Sequence, residues 1–287
     1  MFDKLSNSFA LARNSWGVLR TDKQLLIFPI LTGMCTLVVT ATFVLPVLFL
    51  ALQNPQREFD LDKVSPAVQY GILFAFYFAT YFVVIFFNSA LTSCALIRFN
   101  GGVPTIGAGI QAAVARLPQI LAWTLVAATV GVLLKVVENA GEQVGKIVSA
   151  ILGTAWSVVT FFVVPVLVVE NVGPFAAVSR SVSILKRTWG EALIGNFGIG
   201  LFMFVLAIPG ILIAVLGVAI LAAAPALLPL GLLVLALAVV YFLLLMAVSS
   251  AMNVIFVAAV YQFAAHGSVP AGFSEQAVRH AFGPKAA

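Results

Sequence analysis

Two groups of polar side chains stand inside otherwise apolar sequence: Asn88, Ser89, Thr92 and Ser93, and then Ser249, Ser250 and Asn253. An amide or hydroxyl in hydrocarbon needs a hydrogen-bond partner, because leaving it bare costs roughly 1–3 kcal/mol or more. Such residues have two uses. They bond across helices and hold a bundle together, or they line a polar cavity open to the cytosol. Either use predicts Asn88 and Asn253 pointing into the bundle.

Stronger chemistry is missing from the apolar runs. Their central parts hold no Asp, Glu, His, Lys or Arg, whereas proton-coupled carriers and ion pathways place ionisable groups there. No nucleophile stands with a base, and no aspartates pair at membrane depth, so no catalytic residue and no enzyme is expected. His266 and His280 are fourteen residues apart with no cysteine nearby, a spacing that fits no zinc signature, and no metal or cofactor is expected. Cys35 and Cys94 fall within apolar runs, where packing is their expected role. Gly195, Gly198 and Gly200 have the look of a phosphate loop, but no lysine and no preceding strand accompany them. Close helix packing accounts for them better, as it does for Gly210 and Ala214.

The elements that carry these residues follow from composition. With 62% hydrophobic and 9% charged residues, the 287-residue chain has too little polar surface to coat a globule in water. In lipid each apolar stretch of about 20 residues must be a helix, which satisfies its own backbone. The expected fold is all-α, a bundle of six transmembrane helices, with spans at Leu25 to Leu52, Ala67 to Ile97, Leu117 to Leu134, Ile147 to Val169, Leu193 to Ala222 and Leu228 to Phe263. Pro225, Pro229 and Gly231 mark a tight hairpin between the last two. Pro29, Pro46, Pro165 and Pro209 are expected to bend their helices. The first apolar run is too long and starts too late for a cleavable signal peptide.

Basic residues set the orientation. Lys4, Arg13, Arg20, Lys23, Arg98, Arg116, Arg180, Lys186, Arg187, Arg279 and Lys285 fall on the side of the N-terminus, against Arg57, Lys63, Lys135 and Lys146 opposite. That bias of 11 to 4 predicts both termini in the cytoplasm. The net charge of +5 then reflects topology and attraction to anionic membrane lipids, and no nucleic-acid partner is expected.

Before the first span, Phe2, Leu5, Phe9, Ala12, Trp16 and Leu19 recur at helical spacing on one arc. This predicts an amphipathic helix that lies flat at the interface with Trp16 as anchor, or packs on the cytosolic ends of the bundle. The pattern returns 173 residues later, where Phe2, Ser6, Ser8, Trp16 and Gly17 meet Phe175, Ser179, Ser181, Trp189 and Gly190. Trp189 is the second expected anchor. A weaker copy runs from Pro104 to Trp123. The chain thus reads as a single integral membrane domain of three units, 1–100, 101–172 and 173–265, each an interfacial helix followed by a two-span hairpin, with a cytosolic tail at 266–287.

The opening from Phe2 through Ser15-Trp16 to Leu25-Leu26-Ile27-Phe28-Pro29 resembles an uncharacterised bacterial family of six-span membrane proteins known as a domain of unknown function. Trp156, Val164-Pro165, Glu170, Gly173-Pro174, Ser181 and Thr188-Trp189-Gly190-Glu191 carry the same resemblance. More distantly, the Gly-Pro, Ser-bearing interfacial helix is similar to those of Yip-type proteins and of the membrane domain attached to some bacterial glycerophosphodiester phosphodiesterases. The resemblance implies a fold and an inner-membrane location, without a reaction. Two functional expectations follow: a non-catalytic protein that organises bilayer or a membrane-protein partner, or a channel or carrier for a lipid or small neutral solute.

Overall fold

Apolar runs that cannot expose backbone N–H and C=O groups to lipid close those bonds within each segment, and the described apolar runs form helices accordingly. A computed structural model describes residues 2–53, 65–141, 143–187, 191–223 and 227–273, and no strand occurs among the described residues. Helix α1 (Phe2–Thr21) leads through a 3₁₀ turn (Lys23–Leu26) into α2 (Ile27–Gln53), followed by α3 (Pro66–Phe99). Next come α4 (Ile106–Ala115), α5 (Leu117–Asn139), α6 (Val144–Val159) and α7 (Val163–Glu170). The chain continues as α8 (Pro174–Arg187), α9 (Glu191–Ala223) and α10 (Leu228–His266).

Six segments are long and apolar enough to cross a membrane: Lys23–Leu50, Pro66–Phe99, Leu117–Asn139, Val144–Glu170, Ile199–Ala223 and Leu228–His266. They coincide with the expected spans to within six residues at every end. The protein is therefore a multi-pass, all-helical membrane protein. The order of a shorter helix followed by two apolar segments recurs three times. The weakest expected copy, Pro104 to Trp123, is not one helix: α4 ends at Ala115, and α5 begins at Leu117 with a proline in its first turn.

The fourth span is interrupted. Pro165 has no N–H to give the carbonyl of Phe161, and its ring crowds the preceding turn. Between α6 and α7 the bonds become irregular: the Phe161 N–H reaches the Val158 carbonyl at 3.3 Å and the Val163 N–H reaches the Thr160 carbonyl at 3.0 Å, each three residues back. Pro46 and Pro209, by contrast, lie inside continuous helices. Asn171 ends α7 in the left-handed region, with φ 52°.

The chain divides into two compact units. The first comprises Met1–Pro29, Ala95–Val103 and Thr188–Ala287. In it α1 packs on α9 and α10. Ala12, Val18 and Leu19 are buried with Leu25 and Phe28, and the second half of α10 contributes Met252, Ile255, Phe256 and Tyr261. Of the two placements expected for α1, seating on the bundle is the one its buried face matches. Helices α9 and α10 form an antiparallel hairpin closed by glycine. A Cβ on Gly231 would fall 2.5 Å from Leu221 Cδ2, and one on Gly210 would fall 2.6 Å from Tyr241 Cδ1. Gly200 differs from expectation: nothing lies within 4 Å of where its Cβ would stand, so helix packing does not explain it.

The second unit comprises Ile30–Cys94 and Pro104–Arg187. Helices α5 and α6 lie side by side, with Ser149 Oγ donating to the Leu134 carbonyl at 2.9 Å and the rings of Trp123 and Trp156 stacked at 5.6 Å. Helix α8 packs against α5, α6 and α7.

Candidate polar sites

Helix α3 places its four polar residues on adjacent turns. Ser89, Thr92 and Ser93 are buried and Asn88 is half-buried. The two serine hydroxyls turn back on their own helix: Ser89 Oγ donates to the Ile85 carbonyl at 2.7 Å, and Ser93 Oγ to the Ser89 carbonyl at 2.9 Å. A hydroxyl bonded four residues back spends its donor without a partner helix or a ligand. Cys94, also buried, sits 3.4 Å from the Thr105 carbonyl.

The second group behaves differently. Ser249 is half-buried, while Ser250 and Asn253 are exposed. Their neighbours Ala251, Met252 and Ile255 are fully buried, so the helix turns its apolar side to the core and the amide away from it. The expectation that Asn253 is enclosed is not met, because sequence around it offers a stronger competitor for the buried face.

Of the expected anchors, Trp16 is half-buried and its ring centroid lies 6.4 Å from that of Phe202. Trp189 lies outside the described residues, as does His280. His266 is exposed and meets the ring of Tyr261 edge-on at 5.9 Å. Among the described residues, no three His, Cys, Asp or Glu side chains come together as a metal ion would require.

Several polar contacts were not legible from spacing. In the first unit, Arg98 donates from both Nε and Nη2 to the Asp22 carboxylate, which is 6% exposed. This forked pair ties the end of α3 to the turn after α1. Two residues after Arg98, Asn100 Oδ1 accepts from Gln262 Nε2, which also reaches Ser268 Oγ, at 3.4 Å each, while Gln262 Oε1 has no partner. In the second unit, Arg116 donates to the Val168 carbonyl at 3.0 Å, Gln119 to Asn171 Oδ1 at 2.7 Å and Arg180 to Glu170 at 2.9 Å. Ser181 Oγ accepts the N–H of Phe162, the residue just before α7, at 3.0 Å. A groove of about 330 Å³ between α5 and α6 is wholly apolar, lined by Val130, Leu133, Leu134, Val137, Leu152 and Trp156 among others.

Residues 67–273 match the model of a family of unknown function, DUF6159. Neither a curated protein nor a solved structure matches the chain.

Proposed function

Because the chain belongs to this family of unknown function, whose membership carries no activity, we propose from its own residues that it is a non-catalytic protein organising a bilayer or a membrane partner. The supporting observation is where the polar groups of the spans go. Ser89, Ser93 and Thr124 bond within their own helices, and Tyr241 donates across the α9–α10 hairpin to the Leu206 carbonyl at 2.5 Å. Hydroxyls spent on their own helix leave little to coordinate a solute, and the Tyr241 bond holds two helices together. In this reading the membrane is the bacterial cytoplasmic membrane, both termini are cytoplasmic, and the three recurrences of short helix plus hairpin are internal repeats.

One observation favours a second reading. Ser250 and Asn253 are exposed on α10, with no hydrogen-bond partner among the described residues, and an open amide could serve a carrier for a lipid or small neutral solute. Extraction of the protein in native-lipid discs tests the first reading. It expects a membrane protein or lipid enriched in fixed stoichiometry over an unrelated six-span control. A chain accompanied only by bulk lipid contradicts it.

A further inference from the structure

The outward face of α8 carries groups that neither the bundle nor the polar clusters use. Its inward face holds Ala177, Ser181, Ile184 and Leu185, all buried. At about 100° per residue, Phe175, Ser179, Ser183 and Lys186 share an arc of about 80° on the opposite side. Phe175 is 79% exposed, the highest value of any large apolar side chain among the described residues. Ser179 and Lys186 are exposed and Ser183 is half-buried.

Ser179, Val182, Ser183 and Lys186 line a groove of about 510 Å³. Several helical hydroxyls among the described residues are satisfied internally, as Thr42, Ser89, Thr124 and Thr154 each donate to the carbonyl four residues back, whereas the hydroxyl oxygens of Ser15, Thr36 and Thr80 are unpaired but buried. Those of Ser179 and Ser183 have no partner among the described residues, and neither does the Lys186 ammonium. The adjacent Arg180 is engaged by Glu170, so the positive charge left for a ligand on this face is Lys186. Two open hydroxyls and an ammonium within about 10 Å of helix offer several donors and no negative charge, a surface complementary to an oxyanion.

We propose that this face of α8 binds the phosphate of an anionic phospholipid, with Ser179, Ser183 and Lys186 donating to it. Phe175 selects the lipid over a free anion. It stands on the same face, one turn before Ser179, where contact with acyl chains or headgroup carbons removes the exposed ring from water. Depth agrees, since the fourth span ends at Glu170, four residues before α8 begins at Pro174. The site goes beyond the organising role and would serve a carrier equally.

Native mass spectrometry of the full chain, purified in detergent and offered phosphatidylglycerol or phosphatidylcholine, tests this. The wild type is expected to retain phosphatidylglycerol in preference. Replacing the three donors together (Ser179→Ala, Ser183→Ala, Lys186→Gln) lowers that retention about tenfold and leaves phosphatidylcholine unchanged. Phe175→Ser lowers it as well, and millimolar inorganic phosphate does not compete. Melting temperatures stay at the wild-type value, because these side chains support no packing. Wild-type retention by the triple variant overturns the proposal. So does competition by inorganic phosphate with Phe175→Ser unaffected, which would make the groove a free-anion site, or a triple variant that loses its fold, which would make the donors structural.

Discussion

Ser181 on α8 accepts the backbone N–H of Phe162, the residue at which the fourth span restarts after its break. Phe162 is fully buried, so no water replaces that bond when it is lost. Ser181→Ala is therefore expected to cost about 1–2 kcal/mol, the value of a buried donor left open. Thermal unfolding in detergent checks it, and an unchanged melting temperature would show that the break is held by packing alone.

Asp22 and Arg98 make a second prediction. Arg98→Met strands a carboxylate that is 6% exposed, and its expected cost is about 3–5 kcal/mol. Asp22→Leu combined with Arg98→Met removes both charges and should recover most of that loss, because an apolar pair needs no solvation. Unfolding curves of the single and double variants decide the matter. Equal destabilisation by both would mean that the pair contributes through shape and not charge.

Glycines separate close packing from open surface. Gly210→Ala sets a methyl 2.6 Å from the Tyr241 ring and is expected to cost about 1–3 kcal/mol. Gly200→Ala meets nothing within 4 Å and should be neutral or gain up to about 1 kcal/mol through helix propensity. The same melting measurement on both checks the contrast, and a loss at Gly200 would place an unseen partner there.

The six spans were legible because apolar length alone specifies a membrane helix: the ends of α3 and α10 fall within three residues of those expected, while α5 runs on to Asn139, five residues past the expected Leu134. The break at Thr160 to Phe162 was not, since the run continues through it and Pro165 announced only a bend. Hydroxyl content also misled. Ser89 and Ser93 look in sequence like bridges to another helix, yet each bonds back to its own, a choice of rotamer that spacing does not encode. Asn253 follows the helical face dictated by Met252, Ile255 and Phe256, whose combined burial outweighs one amide. The Asp22–Arg98 pair joins residues 76 apart, and its sole trace is an acid set among Arg20 and Lys23.

Orientation gives a fourth prediction. The loop from Asn54 to Ser65, whose residues 54–64 lie outside the described residues, should face away from the cytoplasm, because the basic bias places its flanking cytoplasmic ends on the other side. An Asp60→Cys variant in intact cells is expected to react with a membrane-impermeant maleimide. Reaction only after permeabilisation would invert the topology.

The central claim is that the polar groups of the spans are spent within and between helices and do not line a path. Flux across vesicles reconstituted with the purified chain tests it most directly, read for a fluorescent phospholipid analogue and for glycerol, in wild type and in Asn88→Leu/Asn253→Leu. The account predicts flux no greater than in protein-free vesicles for both proteins, with the substitutions altering stability only. Flux in the wild type that disappears in a folded double variant would contradict it and establish a carrier.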